Sequence, residues 1–149
     1  VTIRGETIGV EIARTAAEQH LGLGERDGLA WERGMLFVYD RPGFYGFWMK
    51  GMRFDIDIVW IRDGRIVGID HRVPHAMEPP LPTYRPPEAV DQVLEVPAGA
   101  AQARGWRRGD RVRVETLDAA QISGNSDRMW AWTLSSSPDT STPSTSNSA

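Results

Sequence analysis

The chain has no cysteine, which excludes disulfide staples, thiolate nucleophiles and zinc–cysteine sites. It also lacks an excess of positive charge. Its 17 Lys and Arg stand against 20 Asp and Glu, a net charge of −3, so a basic face for nucleic acid is not expected. No apolar run approaches the ~20 residues that a membrane-spanning helix needs. There is no G-x-S-x-G elbow, and serine is absent ahead of Ser123. Glycines are scattered, with neither a P-loop nor a dinucleotide fingerprint, and no cofactor is implied.

What remains is an ordinary globular composition, 40% apolar and 25% charged over 149 residues, which suits one domain and a tail. The organising stretch is residues 34–61, GMLFVYDRPGFYGFWMKGMRFDIDIVWI, with most of the aromatic side chains. Residues 35–39 and 56–61 read as buried strands, and 47–50 as a third short strand or an extended bend. Phe37, Trp48, Ile58 and Trp60 are expected in the core.

Ahead of that stretch, residues 1–4 and 7–13 alternate around Gly5-Glu6 and predict an opening hairpin. Thr15-Ala-Ala-Glu18 is a capping-box pattern, so a short helix should follow and stop at Gly22 or Gly24. Residues 27–33 form a loop, with Leu29 and Trp31 pinned against the sheet. Asp63-Gly64 is the strongest hairpin signal present, with a return strand over 66–73. Residues 74–87 carry six prolines and cannot join a sheet interior. A strand over 89–96, a short helix over 97–104 and a closing strand over 111–117 complete the domain.

Composition changes after Leu117. Residues 135–149 are almost wholly Ser, Thr, Pro, Asp and Asn, and such a segment cannot offset the entropy of its own ordering. The large apolar groups of this region are Met129, Trp130, Trp132 and Leu134. Trp130 and Trp132 would present two rings on one side of an extended chain, as docking anchors do. We therefore divide the chain into a domain at 1–117 and an extended arm at 118–149.

Several constellations could carry chemistry. Asp55 and Asp57 lie two apart in a strand and share a face. Such a pair can divide acid and base work, but ion pairing with Lys50, Arg53 or Arg26 is the simpler reading. His71, His75 and Glu78 have a superficial metal spacing, yet Pro74 interrupts it, so surface histidines are the simpler reading and no metal site is assigned. Trp31 and Trp106 suit packing or sugar stacking equally.

The motifs GMLFVY, FWMK and an Asp before an apolar strand resemble those of the DUF192 family, also called UPF0127. The likeness continues in LGLGER (21–26), VLEVPAG (93–99) and Gly109-Asp110. It implies a compact α+β domain, mostly antiparallel and β-rich, with one or two short helices. Many members are exported, and a chain beginning at Val1 fits removal of an N-terminal segment, so a periplasmic or extracellular location is expected. Lys50, Asp57, Glu95 and Arg26 match the family pattern. Gly51 and Met52 replace its usual Asn-Thr, and Asp55 replaces its usual proline.

A framework that keeps its strands while losing polar groups suits a binder better than an enzyme. The leading expectation is a non-catalytic accessory subunit that docks on a larger membrane-bound assembly, such as a respiratory or photosynthetic complex. Its contacts would be Met129, Trp130, Trp132 and Leu134 of the arm and Pro79, Pro80 and Tyr84 of the proline-rich loop. The alternative is a binding module for a small polar ligand or glycan, centred on Trp48, Lys50, Asp57, Glu95 and Arg26. A hydrolase using Asp55 and Asp57 comes third.

Overall fold

Five strands build the main sheet of the computed structural model, which describes residues 1–115. In chain order the elements begin with β1 (Thr2–Ile3), β2 (Glu6–Thr7), β3 (Gly9–Ala13), α1 (Ala16–Leu21) and β4 (Arg33–Gly43). They continue with β5 (Ile56–Arg62), β6 (Arg65–Val73), β7 (Val90–Pro97), α2 (Ala100–Ala103) and β8 (Val112–Arg113). The large sheet has the order β3-β4-β7-β5-β6, and a small one the order β2-β1-β8. Every pair is antiparallel except β3 with β4. The fold is thus the expected α+β, β-rich and mostly antiparallel architecture with two short helices. Residues 118–149, including Met129, Trp130, Trp132 and Leu134, lie outside the described residues.

Side chains alternate across the large sheet and divide the core into two. Leu36, Val59, Ile61, Leu94 and Val96 face one cluster, which the small sheet's Ile3 and Val112, α2 and Trp106 complete. Met35, Phe37, Ile58, Trp60 and Val93 face the other, joined by Leu23 and Met49. This is the period-two projection of a strand, applied to strands covered on both faces. β5 is buried from Ile56 to Ile61, which is why its sequence is nearly continuously apolar.

Local signals act where expected. Thr15 caps α1: its Oγ1 accepts from the Glu18 amide at 3.1 Å while the Glu18 carboxylate accepts from the Thr15 amide at 3.0 Å. The amides of Thr15 and Arg14, the latter donating at 2.9 Å, hold the Glu18 carboxyl below its ordinary range. Asp63 and Gly64 both take positive φ, 51° and 74°, as a tight turn between right-twisted strands requires. Gly34 allows β4 to lie close against β7, since a Cβ there would stand 2.6 Å from the Glu95 carbonyl oxygen.

Other expectations need correction. Only 2–3 and 6–7 form the opening hairpin. At Gly9 the chain leaves it, and β3 pairs in parallel with β4. Pro97 ends β7 instead of starting a helix, and among the described residues the closing strand covers Val112–Arg113. Residues 47–50 form no strand. Phe47 alone bridges to Tyr84, with reciprocal backbone hydrogen bonds of 2.8 and 2.7 Å.

The largest correction is Trp48, which is 50% exposed. In the extended segment Phe47 and Met49 turn toward the core and Trp48 necessarily turns outward. Trp31 is likewise exposed instead of pinned, with its ring 6.0 Å from the Arg104 guanidinium, whereas Trp106 is buried. Phe37, Ile58 and Trp60 are buried as expected.

Candidate functional site

A hollow of about 350 Å³ opens on the Phe37 side of the large sheet. Its floor is the side chain of Glu95 on β7, whose backbone neighbours across the sheet are Met35 of β4 and Ile58 of β5. Tyr39 of β4 and Tyr45, Phe47 and Trp48 of the following segment supply aromatic walls. Ala16, Gln19, His20 and Leu21 of α1 line the hollow as well, together with Lys50 and Met52.

The sequence fixes these walls locally. The capping box starts α1 immediately after β3, and the Gln19 amide nitrogen ties it down by donating to the carbonyls of Ala13 (3.1 Å) and Val38 (2.9 Å). Tyr39 and Tyr45 stack at 3.7 Å with only 9° between their planes, and Tyr45 donates its hydroxyl to the Arg41 carbonyl at 2.6 Å. Phe47 meets Phe37 and Trp60 edge to face. The Phe47–Tyr84 bridge thus positions one wall from the proline-rich loop.

Glu95 is 6% exposed and, among the described residues, accepts no hydrogen bond and makes no ion pair. Burial pushes its carboxyl up to about 8. A buried carboxylate without donors favours its neutral form, because the charged form has lost water and gained nothing. Tyr39 is raised well above an ordinary phenol, first by burial and then by Glu95 and Tyr45. Lys50, the chain's single lysine, does not reach Glu95; its ammonium lies 5.3 Å from the centroid of the Trp48 ring.

Of the five residues singled out for ligand binding, Trp48, Lys50 and Glu95 line this hollow. Asp57 does not. It pairs with Val96, on the opposite face from Glu95, and is fully buried under α2. Its carboxylate accepts from the amides of Arg72 (2.7 Å), Gly99 (3.1 Å to each oxygen) and Ala101 (2.9 Å). Those amides, not a cation, compensate the charge. Arg26 is bound to Glu11 through both guanidinium nitrogens, and Arg53 pairs with Asp27 at 2.9 Å.

Asp55 is separate from Asp57 in its contacts. It accepts from the His75 amide at 2.9 Å and from the His75 ring, which together draw its carboxyl below the ordinary range, the ring contributing most. Among the described residues no group of three His, Asp or Glu could hold a metal ion. Pro79 and Pro80 are exposed on the proline-rich loop, while Tyr84 is half-buried against the core.

Sequence reasoning missed Tyr39, Tyr45 and Phe47 as site residues because aromatics in an apolar run read as core. One signal could have found the hollow: Glu95 is the lone charge in the run VLEV, where a strand buried on both faces tolerates charge only for a reason.

Together these features define a small β-rich domain with an aromatic-walled hollow over a buried carboxylate. The chain belongs to the DUF192 family, described as an uncharacterized ACR, whose model matches residues 1–114. A protein of unknown function from Novosphingobium aromaticivorans is 32% identical, with a TM-score of 0.65 over 70% of this chain and 74% of its own. A Sinorhizobium meliloti protein, provisionally named a transcription regulator, is also 32% identical, with a TM-score of 0.64 over 70% of this chain and 79% of its own. No curated protein matches the chain.

Proposed function

We propose that the domain is a binding module for a small polar ligand, received in the hollow above Glu95. One observation carries this reading: an almost wholly buried carboxylate without a protein partner forms the floor of an open, aromatic-walled hollow. Leaving a buried polar group unmatched costs free energy that a ligand can recover. Trp48 supports the reading as well, because a half-exposed indole at the mouth offers ready contact area without further cost in folding.

The test is a titration of the isotopically labelled full chain with a panel of small amines, amides, polyols and carboxylates, followed by NMR. Bound compounds should shift the Trp48 indole signal together with Tyr39 and Tyr45. Trp48→Ala should weaken them by about tenfold, equivalent to ~1.4 kcal/mol. If no compound at millimolar concentration shifts these signals, the reading fails.

Docking on a larger periplasmic or extracellular assembly is a separate proposal, resting on Trp130 and Trp132. Changing both to Ala in the full chain should abolish co-purification with native membranes while leaving the melting temperature unchanged. Full recovery of the associated proteins would count against the arm as anchor.

A further inference from the structure

We infer that the hollow takes a small organic cation, its ammonium head seated between the aromatic walls and the Glu95 carboxylate. This deepens the binding reading above and rests on it. Three kinds of ligand can be weighed against the same walls. An anion would be repelled by the negative faces of the rings and, wherever Glu95 is ionised, by its carboxylate. A neutral hydrogen-bond donor would satisfy the carboxylate but gain nothing from the ring quadrupoles. A cation gains from both, and exclusion of water strengthens each attraction.

The walls already show this preference. The Lys50 ammonium lies over Trp48 at 5.3 Å from the ring centroid and leaves Glu95 unmatched. Tyr39 and Tyr45, stacked at 3.7 Å, and Phe47 line the same hollow as Trp48 and Glu95. The titratable and charged groups facing the hollow are His20 from α1, Tyr39 from β4, Tyr45 and Lys50 from the segment after it, and Glu95. β5 presents only apolar Ile58 beside Glu95. Lys50 carries a positive charge, is exposed and lines the hollow, so a second positive charge on the ligand is disfavoured and an outward polar or anionic tail is suited.

The geometry also fixes how binding responds to pH. With the hollow empty, burial keeps a proton on Glu95 up to about pH 8. A cation must replace that proton, so binding releases it to solvent. Only the ionised fraction is competent, and that fraction divides the intrinsic dissociation constant. Affinity should therefore rise on the order of tenfold from pH 6 to pH 7 and level off above pH 8.

The experiment is calorimetry on the full chain with choline and with 3,3-dimethylbutan-1-ol, which has the same shape without the charge. Choline should bind at least about tenfold more tightly, with affinity rising with pH and with a proton released, read from buffers of different ionisation heat. Glu95→Gln should remove the signal and Trp48→Ala should weaken binding by about tenfold, and Trp48 is exposed enough that its loss spares the core. Equal binding of the neutral compound overturns the cation inference while leaving the pocket reading intact. Affinity that falls as pH rises overturns it too, since the ligand would then be accepting from protonated Glu95. Choline binding that survives both substitutions lies elsewhere and overturns it likewise. Should neither probe bind and the fragment panel leave Trp48 unshifted, both readings fall together.

Discussion

Replacing Asp57 with alanine is expected to destabilise the domain by at least about 3 kcal/mol, with a fall in melting temperature above ~10 °C. The carboxylate is fully buried and serves three backbone amides, those of Arg72, Gly99 and Ala101. These donors hold the end of β6 and the start of α2 against β5. Two of them come from backbone that would not otherwise take this course. Arg72 has φ of 51°, unusual for a residue with a side chain, and Gly99 has φ of 91°. Without the carboxylate, three amides lose their acceptor inside the protein, and each costs about 1–3 kcal/mol. Asp57→Asn should be milder, about 2 kcal/mol, because its oxygen still accepts while its amino group faces donors. Urea unfolding of the wild type and both variants measures the series. A variant pair that unfolds at the wild-type midpoint would show that the amides find other partners and that Asp57 is not the clasp.

That clasp illustrates what the sequence discloses and what it withholds. Asp57 stands out as a charge inside an apolar strand, so a structural role can be read from it directly. Its partners cannot, because the amides of Gly99 and Ala101 lie more than forty residues away and carry no side-chain signature. Signals confined to a few residues, such as the Thr15–Glu18 box and the Asp63-Gly64 turn, are legible because their physics is local. Pairing is not. The parallel match of β3 with β4 joins strands separated by a helix, and nothing in Val10 or Ile12 names that neighbour. Trp48 fails for the same reason. Whether it or Phe47 faces inward is decided by the bridge to Tyr84, a contact thirty-seven residues away. The hollow inherits that decision, since the same bridge aims Phe47 inward and leaves the Trp48 indole at the mouth.

Glu95→Gln should make the domain more stable at alkaline pH and leave it nearly unchanged at pH 5. In the native state burial raises the Glu95 carboxyl to about 8, whereas the unfolded chain titrates it near 4.5. Between those values the native state binds a proton that the unfolded state has lost. Stability therefore falls as pH rises through this window, by up to ~1.4 kcal/mol per unit. Glutamine keeps the shape and one acceptor but has no proton to lose, so its contribution is flat. The variant should gain on the wild type steadily above pH 5, reaching on the order of 3 kcal/mol by pH 9. Urea titrations at pH 5, 7 and 9 compare the two. Parallel profiles would mean that water or a protein donor reaches the carboxylate and that burial does not govern it. Choline offers an internal control, because a cation that binds the ionised form repays the same penalty. With choline in excess, the wild-type profile should flatten toward that of Glu95→Gln while the variant's own profile stays where it was. The same carboxylate that weakens the empty domain at high pH would then be what gives the filled one its affinity.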